Sequence, residues 1–276
     1  KSYCKINLSL RVIKKLKNGF HKIQSFIIFC KIFDEIFIKE NNKEKDLIKF
    51  NGKFTKNISK SNNTMINTMY LLRNNNYLTN TFFDIQINKN IPNKAGLGGG
   101  SMNASTLLNY LNTKYNLKIS NKKMIKFSAK IGSDVPVGLK YKNTFYDSEN
   151  NYIIRFKKKI NLFLLIVKPN CNCSTKLIYS QNKSYTAKYK KIKFTNFIDF
   201  FKRDTNDLEI SAFKLYPKIK ELVLYMDIQK NCQFARMTGS GSACVGYFRD
   251  LKSARRAKLL IKKKSPKYWC KLSKAM

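Results

Sequence analysis

The chain has 276 residues, 43% of them hydrophobic, enough for one large domain or two medium ones with a sizeable core. Its 55 basic and 16 acidic residues give a formal net charge of +39, but all except eight of the basic residues are lysines, spread along the whole chain beside abundant Asn, Ile, Phe and Tyr. That spread looks like the imprint of A- and T-rich codons rather than a nucleic-acid patch, and arginine, the residue that forks phosphates and reads bases, is scarce.

Residues 3–13 alternate in part and predict a strand, Lys14 to Gly19 a turn, and the long apolar stretch from Phe20 to Ile38 further strand. Asp46 to Phe54 is a short strand, Asn63 to Arg73 has helical spacing, and residues 82–88 alternate as a strand. A glycine-rich loop then opens a helix that runs to about Tyr115, and Ser120 is placed to cap a second helix through Ile131. Gly132 to Gly138 breaks that helix, and short strands follow through Phe156 up to a polar joint at Lys157–Lys159. Beyond the joint come a buried strand at Ile160–Val167, a helix from Thr175, and a long amphipathic helix within 206–227. Ser242–Phe248 is a strand, Lys252–Lys263 a helix and Tyr268–Leu272 a closing strand. The lysine-laden stretch from Asn182 to Lys193 predicts a loop.

No apolar run approaches the roughly 20 residues that span a bilayer, so a membrane is not an expected partner, and the dispersed lysines and scarce arginine argue against nucleic acid. Seven cysteines without a Cys-x-x-Cys pair, and a single histidine, give neither a disulfide framework nor a metal-ligand set, and a reducing cytoplasm is the expected location.

The loop carries the most information. Pro92, Asn93, Lys94, Ala95, Gly96, Leu97, Gly98, Gly99, Gly100, Ser101 and Met102 place four glycines in five positions directly before an amphipathic helix. Glycines leave no Cβ between backbone amides and a ligand, and the positive end of a new helix favours an anion there, most naturally a phosphate. The spacing fits neither a Walker loop nor a dinucleotide fingerprint. A second glycine-serine turn, Thr238 to Cys244, is either a hairpin entry or a partner that packs on the first loop.

Three other positions could carry chemistry. Asp134, in Gly132-Ser133-Asp134-Val135-Pro136, is a candidate general base, or a turn-forming aspartate bonded to its own backbone. Lys5 interrupts an apolar strand, so it either snorkels outward or projects into a site beside Asn7. Phe20 and His21, just past the Asn18-Gly19 turn, suit recognition of a flat heterocycle, although a lone histidine is more often structural.

In this order the pieces resemble the GHMP kinase superfamily: Lys5 and Asn7 on the opening strand, Pro92 to Ser101, and the turn at 238–242. Within it, Asn18-Gly19-Phe20-His21, the triple glycine 98–100, Gly132 to Pro136 and Thr205-Asn206-Asp207-Leu208-Glu209 resemble the branch that phosphorylates an alcohol bearing a cytidine diphosphate in the non-mevalonate isoprenoid route. The resemblance implies an α+β protein. Residues 1–157 would form an N-terminal ATP-binding domain of ribosomal-S5-domain-2-like fold and 158–276 a C-terminal GHMP-type α/β sandwich, with the active site in the cleft between. It further implies ATP on residues 92–102, Mg²⁺ as its companion, Asp134 and Lys5 as the catalytic pair, and a chain that is a monomer or weak homodimer. Phe20, His21 and Tyr179 would meet the cytosine, with Asn7 and Thr175 lining the substrate pocket. A homoserine or mevalonate kinase of the same superfamily, or a basic RNA-binding protein, is the alternative. Lys94, Phe20 and Met102 depart from the glycine, tyrosine and small residue usual in the family.

Overall fold

The computed structural model describes residues 1–56, 58–149, 151–158, 160–189 and 197–276. Its elements are β1 (Ser2–Lys15), β2 (His21–Asn41), β3 (Leu47–Asn51), α1 (Thr64–Arg73), β4 (Phe82–Asn88), α2 (Gly99–Lys114), α3 (Asn121–Ile131), α4 (Val135–Gly138), β5 (Thr144–Asp147), β6 (Tyr152–Arg155) and β7 (Phe163–Lys168). They continue as α5 (Thr175–Ser180), α6 (Phe197–Arg203), α7 (Leu208–Leu215), α8 (Pro217–Asp227), β8 (Cys232–Met237), β9 (Cys244–Phe248), α9 (Leu251–Lys264) and β10 (Trp269–Lys274). Among the described residues no helix is long and apolar enough to cross a membrane.

Two compact units emerge, and neither is one continuous stretch. Unit one comprises Lys1–Lys5, Ile32–Asn93 and Gly98–Tyr141, and unit two comprises Ile6–Lys31, Lys94–Leu97 and Lys142–Met276. The long strands β1 and β2 each contribute to both units.

In unit one, β4 lies between two neighbours. It pairs antiparallel with the second half of β2, Ile36 opposite Ile87, and parallel with β3, Ile48 opposite Ile85. Period-two alternation turns Phe83, Ile85 and Ile87 inward, where they pack with Met65, Met69 and Leu72 of α1 and Leu107, Leu108 and Leu111 of α2. The helix starts follow from their caps: the Asn63 side chain accepts the N–H groups of Met65 and Ile66, and Ser120 that of Lys123. Gly138 lets α4 approach α2, since a Cβ there would lie 2.3 Å from Ser105 Oγ.

Unit two contains an antiparallel sheet in the order β10-β7-β9-β8. Leu165, Val167 and Phe248 from this sheet pack with Leu222 and Met226 of α8 and Ala254, Ala257 and Ile261 of α9. The first half of β2 pairs with β5, Phe26 opposite Phe145. The expected helix within 206–227 is in fact two, α7 and α8. Pro217 cannot donate to the helical ladder and forces Tyr216 out of helical geometry, to φ −136° and ψ 75°. Strand β8 and helix α6 were not predicted, and part of the expected loop, residues 190–193, and Lys159 of the polar joint lie outside the described residues.

Glu209 of α7 is half-buried in this unit and accepts the Met237 N–H at 2.7 Å. Burial pushes its carboxyl up from 4.5 to about 7. The folded chain therefore holds a proton that the unfolded chain releases between those values, so stability falls as pH rises from 4.5 to 7 and is then level with respect to this group. We expect Glu209→Gln, which keeps the acceptor, to abolish this slope, leaving the variant more stable than wild type by roughly 3 kcal/mol above pH 7. Urea unfolding of both proteins across pH 4.5–8 checks it; parallel curves would refute the assignment.

Candidate active site

Unit one holds the acid and the amine. Lys5 near the start of β1 points inward with its side chain 4% exposed, so the snorkelling alternative is excluded, and its Nζ lies 3.0 Å from Asp134 Oδ2. Asp134 is the residue before α4, yet its side chain makes no capping bond to that helix. Its carboxylate is committed to Lys5 instead of to a turn, and it keeps a 28% exposed face.

The glycine loop crosses directly over this lysine. Gly98 has φ +69°, a left-handed conformation, and a Cβ on it would sit 2.7 Å from Lys5 Cγ. It is also the N-cap of α2, with no side chain to occupy the helix end and no acidic residue in the first turn. The N–H groups of Gly99, Gly100 and Ser101 begin the helix and have no carbonyl one turn before them. A phosphate fits such an end, which lacks a carboxylate of its own. Thr64 anchors the outer edge by donating to the Gly100 carbonyl at 2.8 Å, and Asn93 donates to the Phe54 carbonyl at 2.5 Å. The Met102 amide bonds to the Gly98 carbonyl at 2.8 Å and its side chain is fully buried toward Gly138, so the side chain packs behind the first turn of α2.

Composition gave no hint of a second buried pair behind the loop. Asp34, wholly buried in β2, takes the ammonium of Lys89, the Asn103 amide at 3.1 Å and the backbone N–H groups of Asn90 and Ile91 at 2.7 and 2.9 Å. One carboxylate thereby ties strand, loop entrance and first helical turn together. Lys89 Nζ lies 3.2 Å from where a Gly99 Cβ would be. The break that Asp34 and Glu35 make in the apolar run of β2 was the available signal.

Unit two holds the other expected positions. The Asn7 N–H donates to Thr238 Oγ1 at 2.9 Å and its side-chain amide to Ser25 Oγ at 2.7 Å. The turn at 238–242 does pack on the first loop: a Cβ on Gly96 would lie 1.9 Å from the Thr238 carbonyl, and the Ala243 N–H donates to Ala95 at 3.1 Å. Thr175, at the start of α5, shares a 2.8 Å hydrogen bond with Ser240. His21 faces Tyr179, ring centroids 5.0 Å apart. Its Nε2 is buried without a hydrogen-bond partner, and burial followed by the charge of Lys15 lowers its pKa, which favours the neutral imidazole. A neutral ring with an unsatisfied nitrogen beside a tyrosine suits the edge of a heterocycle. Phe20, 72% exposed, stands free of that pair's packing.

The sequence matches the models for the GHMP kinases N terminal domain over residues 63–140 and GHMP kinases C terminal over residues 194–266. It is 42% identical to a 4-diphosphocytidyl-2-C-methyl-D-erythritol kinase of Pelagibacter ubique, across 100% of this chain and 98% of that protein. The chain belongs to the GHMP kinases. Membership carries ATP-dependent phosphoryl transfer to a small molecule. Among solved structures, this kinase is similar to a 4-(cytidine 5'-diphospho)-2C-methyl-D-erythritol kinase, with a TM-score of 0.78 at 21% identity over 99% of this chain and 98% of the other. It is also similar to the homoserine kinase of Cytophaga hutchinsonii, with a TM-score of 0.67 at 14% identity over 100% and 95%. At such identities the likeness shows the mixed α+β fold alone.

Lys94 explains itself in this kinase. It has φ +50° and is exposed, so the backbone there is of the kind glycine adopts most readily, and the side chain points to solvent.

Gly98 and Gly19 separate backbone strain from contact. Both have left-handed φ, but a Cβ on Gly19 would meet nothing within 4 Å. We expect Gly19→Ala to cost about 1 kcal/mol from the backbone alone, and Gly98→Ala to cost about 2–4 kcal/mol as Lys5 is displaced. Equal losses in chemical denaturation would show that the loop does not rest on Lys5.

Proposed function

We propose that this kinase transfers the γ-phosphoryl group of ATP to the 2-hydroxyl of 4-diphosphocytidyl-2-C-methyl-D-erythritol, a cytoplasmic step of the non-mevalonate route to isoprenoid precursors. The observation that carries the chemistry is the 3.0 Å pair of Lys5 and Asp134 beneath Gly98. Support for the substrate comes from the full-length relative of that name and from His21, whose buried Nε2 lacks a partner beside Tyr179.

Phosphoryl transfer demands placement and neutralisation of charge more than covalent help. The α2 amides and helix end offer fixed donors to the phosphates and need no reorganisation when charge moves. The Asp134 carboxylate accepts the proton of the substrate hydroxyl as that oxygen attacks, while Lys5 orients the carboxylate and favours the oxyanion. Neutral His21 offers a ring nitrogen to the edge of the cytosine, Tyr179 offers its face, and Asn7 and Thr175 line the same substrate. Phe20 gives an apolar surface open to the base. Mg²⁺, when bound, neutralises the donor phosphates. As family domains we place the boundary near 157/158, between the two matched stretches.

A homoserine kinase shares the fold, so turnover must decide. In an ADP-release assay, the cytidine-diphosphate alcohol should be phosphorylated and homoserine and mevalonate should not; preference for either of the latter would overturn the substrate. Asp134→Asn keeps the shape and removes the base, and kcat should fall roughly 10²-fold or more. Near-wild-type turnover by this variant would remove Asp134 from the role.

A further inference from the structure

The string Thr205-Asn206-Asp207-Leu208-Glu209 has no part in the chemistry above, yet its hydrogen bonds lead to the glycine-serine turn of unit two. Asn206 is 1% exposed, and its side-chain amide donates to two carbonyls, Met237 at 2.9 Å and Gly239 at 2.8 Å, while its oxygen accepts the Leu208 N–H at 3.2 Å. Both N–H hydrogens and the carbonyl are therefore used, a set that no other side chain of this length supplies. The base of this peg is rigid. Thr205 accepts from the Leu10 N–H at 2.9 Å, Asp207 donates its N–H to the Leu10 carbonyl at 2.8 Å, and the Asp207 carboxylate takes the Val12 N–H at 2.7 Å. Glu209 holds the Met237 N–H from the same segment.

Three expected substrate and phosphate positions of unit two converge on what Asn206 holds. Asn7 is bonded to Thr238, Thr175 to Ser240, and Gly96 packs against the Thr238 carbonyl. We propose that Asn206 is a positioning residue for phosphoryl transfer: its carboxamide suspends the 238–241 turn and, through that turn, sets Asn7, Thr175 and the Gly96 segment of the phosphate loop. The proposal rests on the functional assignment above.

Asn206→Ser retains an acceptor for the Leu208 N–H but loses the double donation, and Asn206→Asp keeps the shape while setting oxygen against both carbonyls. Both should lower kcat/KM about 10-fold or more, within the 10²-fold that a displacement near 1 Å can cost. Amide exchange should accelerate at Gly241 and Ala243, which bond to Thr238 and Ala95, and stay unchanged in the middle of α8. Thr238→Val removes the acceptor of the Asn7 N–H. If Asn206 acts through the turn, adding Asn206→Ser to Thr238→Val should lower kcat/KM by less than the product of the two single effects. Multiplicative losses, or turn amides that exchange as in wild type, would overturn the proposal. Should Asn206→Asp fail to fold, the serine variant decides. A wild-type chain inactive on the cytidine-diphosphate alcohol would sink the functional assignment instead, and exchange at Gly241 and Ala243 would still decide whether Asn206 holds the turn.

Discussion

A lysine side chain that is 4% exposed has lost its water and needs a polar partner beside it, and the strand bearing Lys5 gives it nowhere to turn outward. Asp134 supplies that partner. This single requirement fixes the break after α3, because the carboxylate must leave the helix to reach β1. It also fixes the residue at 98, because the loop lies so close over the lysine stem that no Cβ fits. The glycines of this loop thus serve two purposes. They leave the helix-end amides without a covering side chain and admit the backbone to the lysine.

A strongly basic chain has few acids, and the placement of those it turns inward is informative. Asp34 gathers an ammonium, an amide and two backbone N–H groups behind the loop, so unit one contains two buried ion pairs that differ in exposure. Losing Lys89 would strand a carboxylate in the core, a large penalty of the kind that follows when one member of a buried pair is removed. The Asp134 pair is half open instead. Partial exposure leaves its carboxylate within reach of a bound molecule, whereas the Asp34 pair is sealed. Unit two combines an ion pair, Arg11 with Asp204, with neutral groups: Asn206, Thr238 and Ser25 join its loops and strands through short hydrogen bonds.

Much of this was legible from residue order. The strand before the loop, the loop itself and the capped helices follow from period-two alternation, glycine and Asn or Ser caps, all local effects. The loop's neighbours were less so. The split of α7 from α8 was present in Pro217 and was outweighed by helical spacing on either side. Strand β8 went unseen because Cys232 to Met237 mixes polar and apolar residues and gains its identity only by pairing with β9. Met102 looked like a loop residue by position, but the helix ladder begins early enough to claim its amide.

What the sequence determined by itself is the chemistry available: a glycine loop opening a helix, a lysine in an apolar strand, an aspartate at a helix break and one histidine. Whether Asp134 caps its own turn or meets Lys5, whether Lys5 faces solvent or core, and which atoms Asn206 holds were decided only by tertiary structure. The physical reason is that a local pattern specifies backbone conformation within a few residues, whereas the partner of a buried charge or amide is chosen by whichever distant group burial leaves within reach. Residues 5 and 134, or 206 and 239, become neighbours only when the strands are laid down.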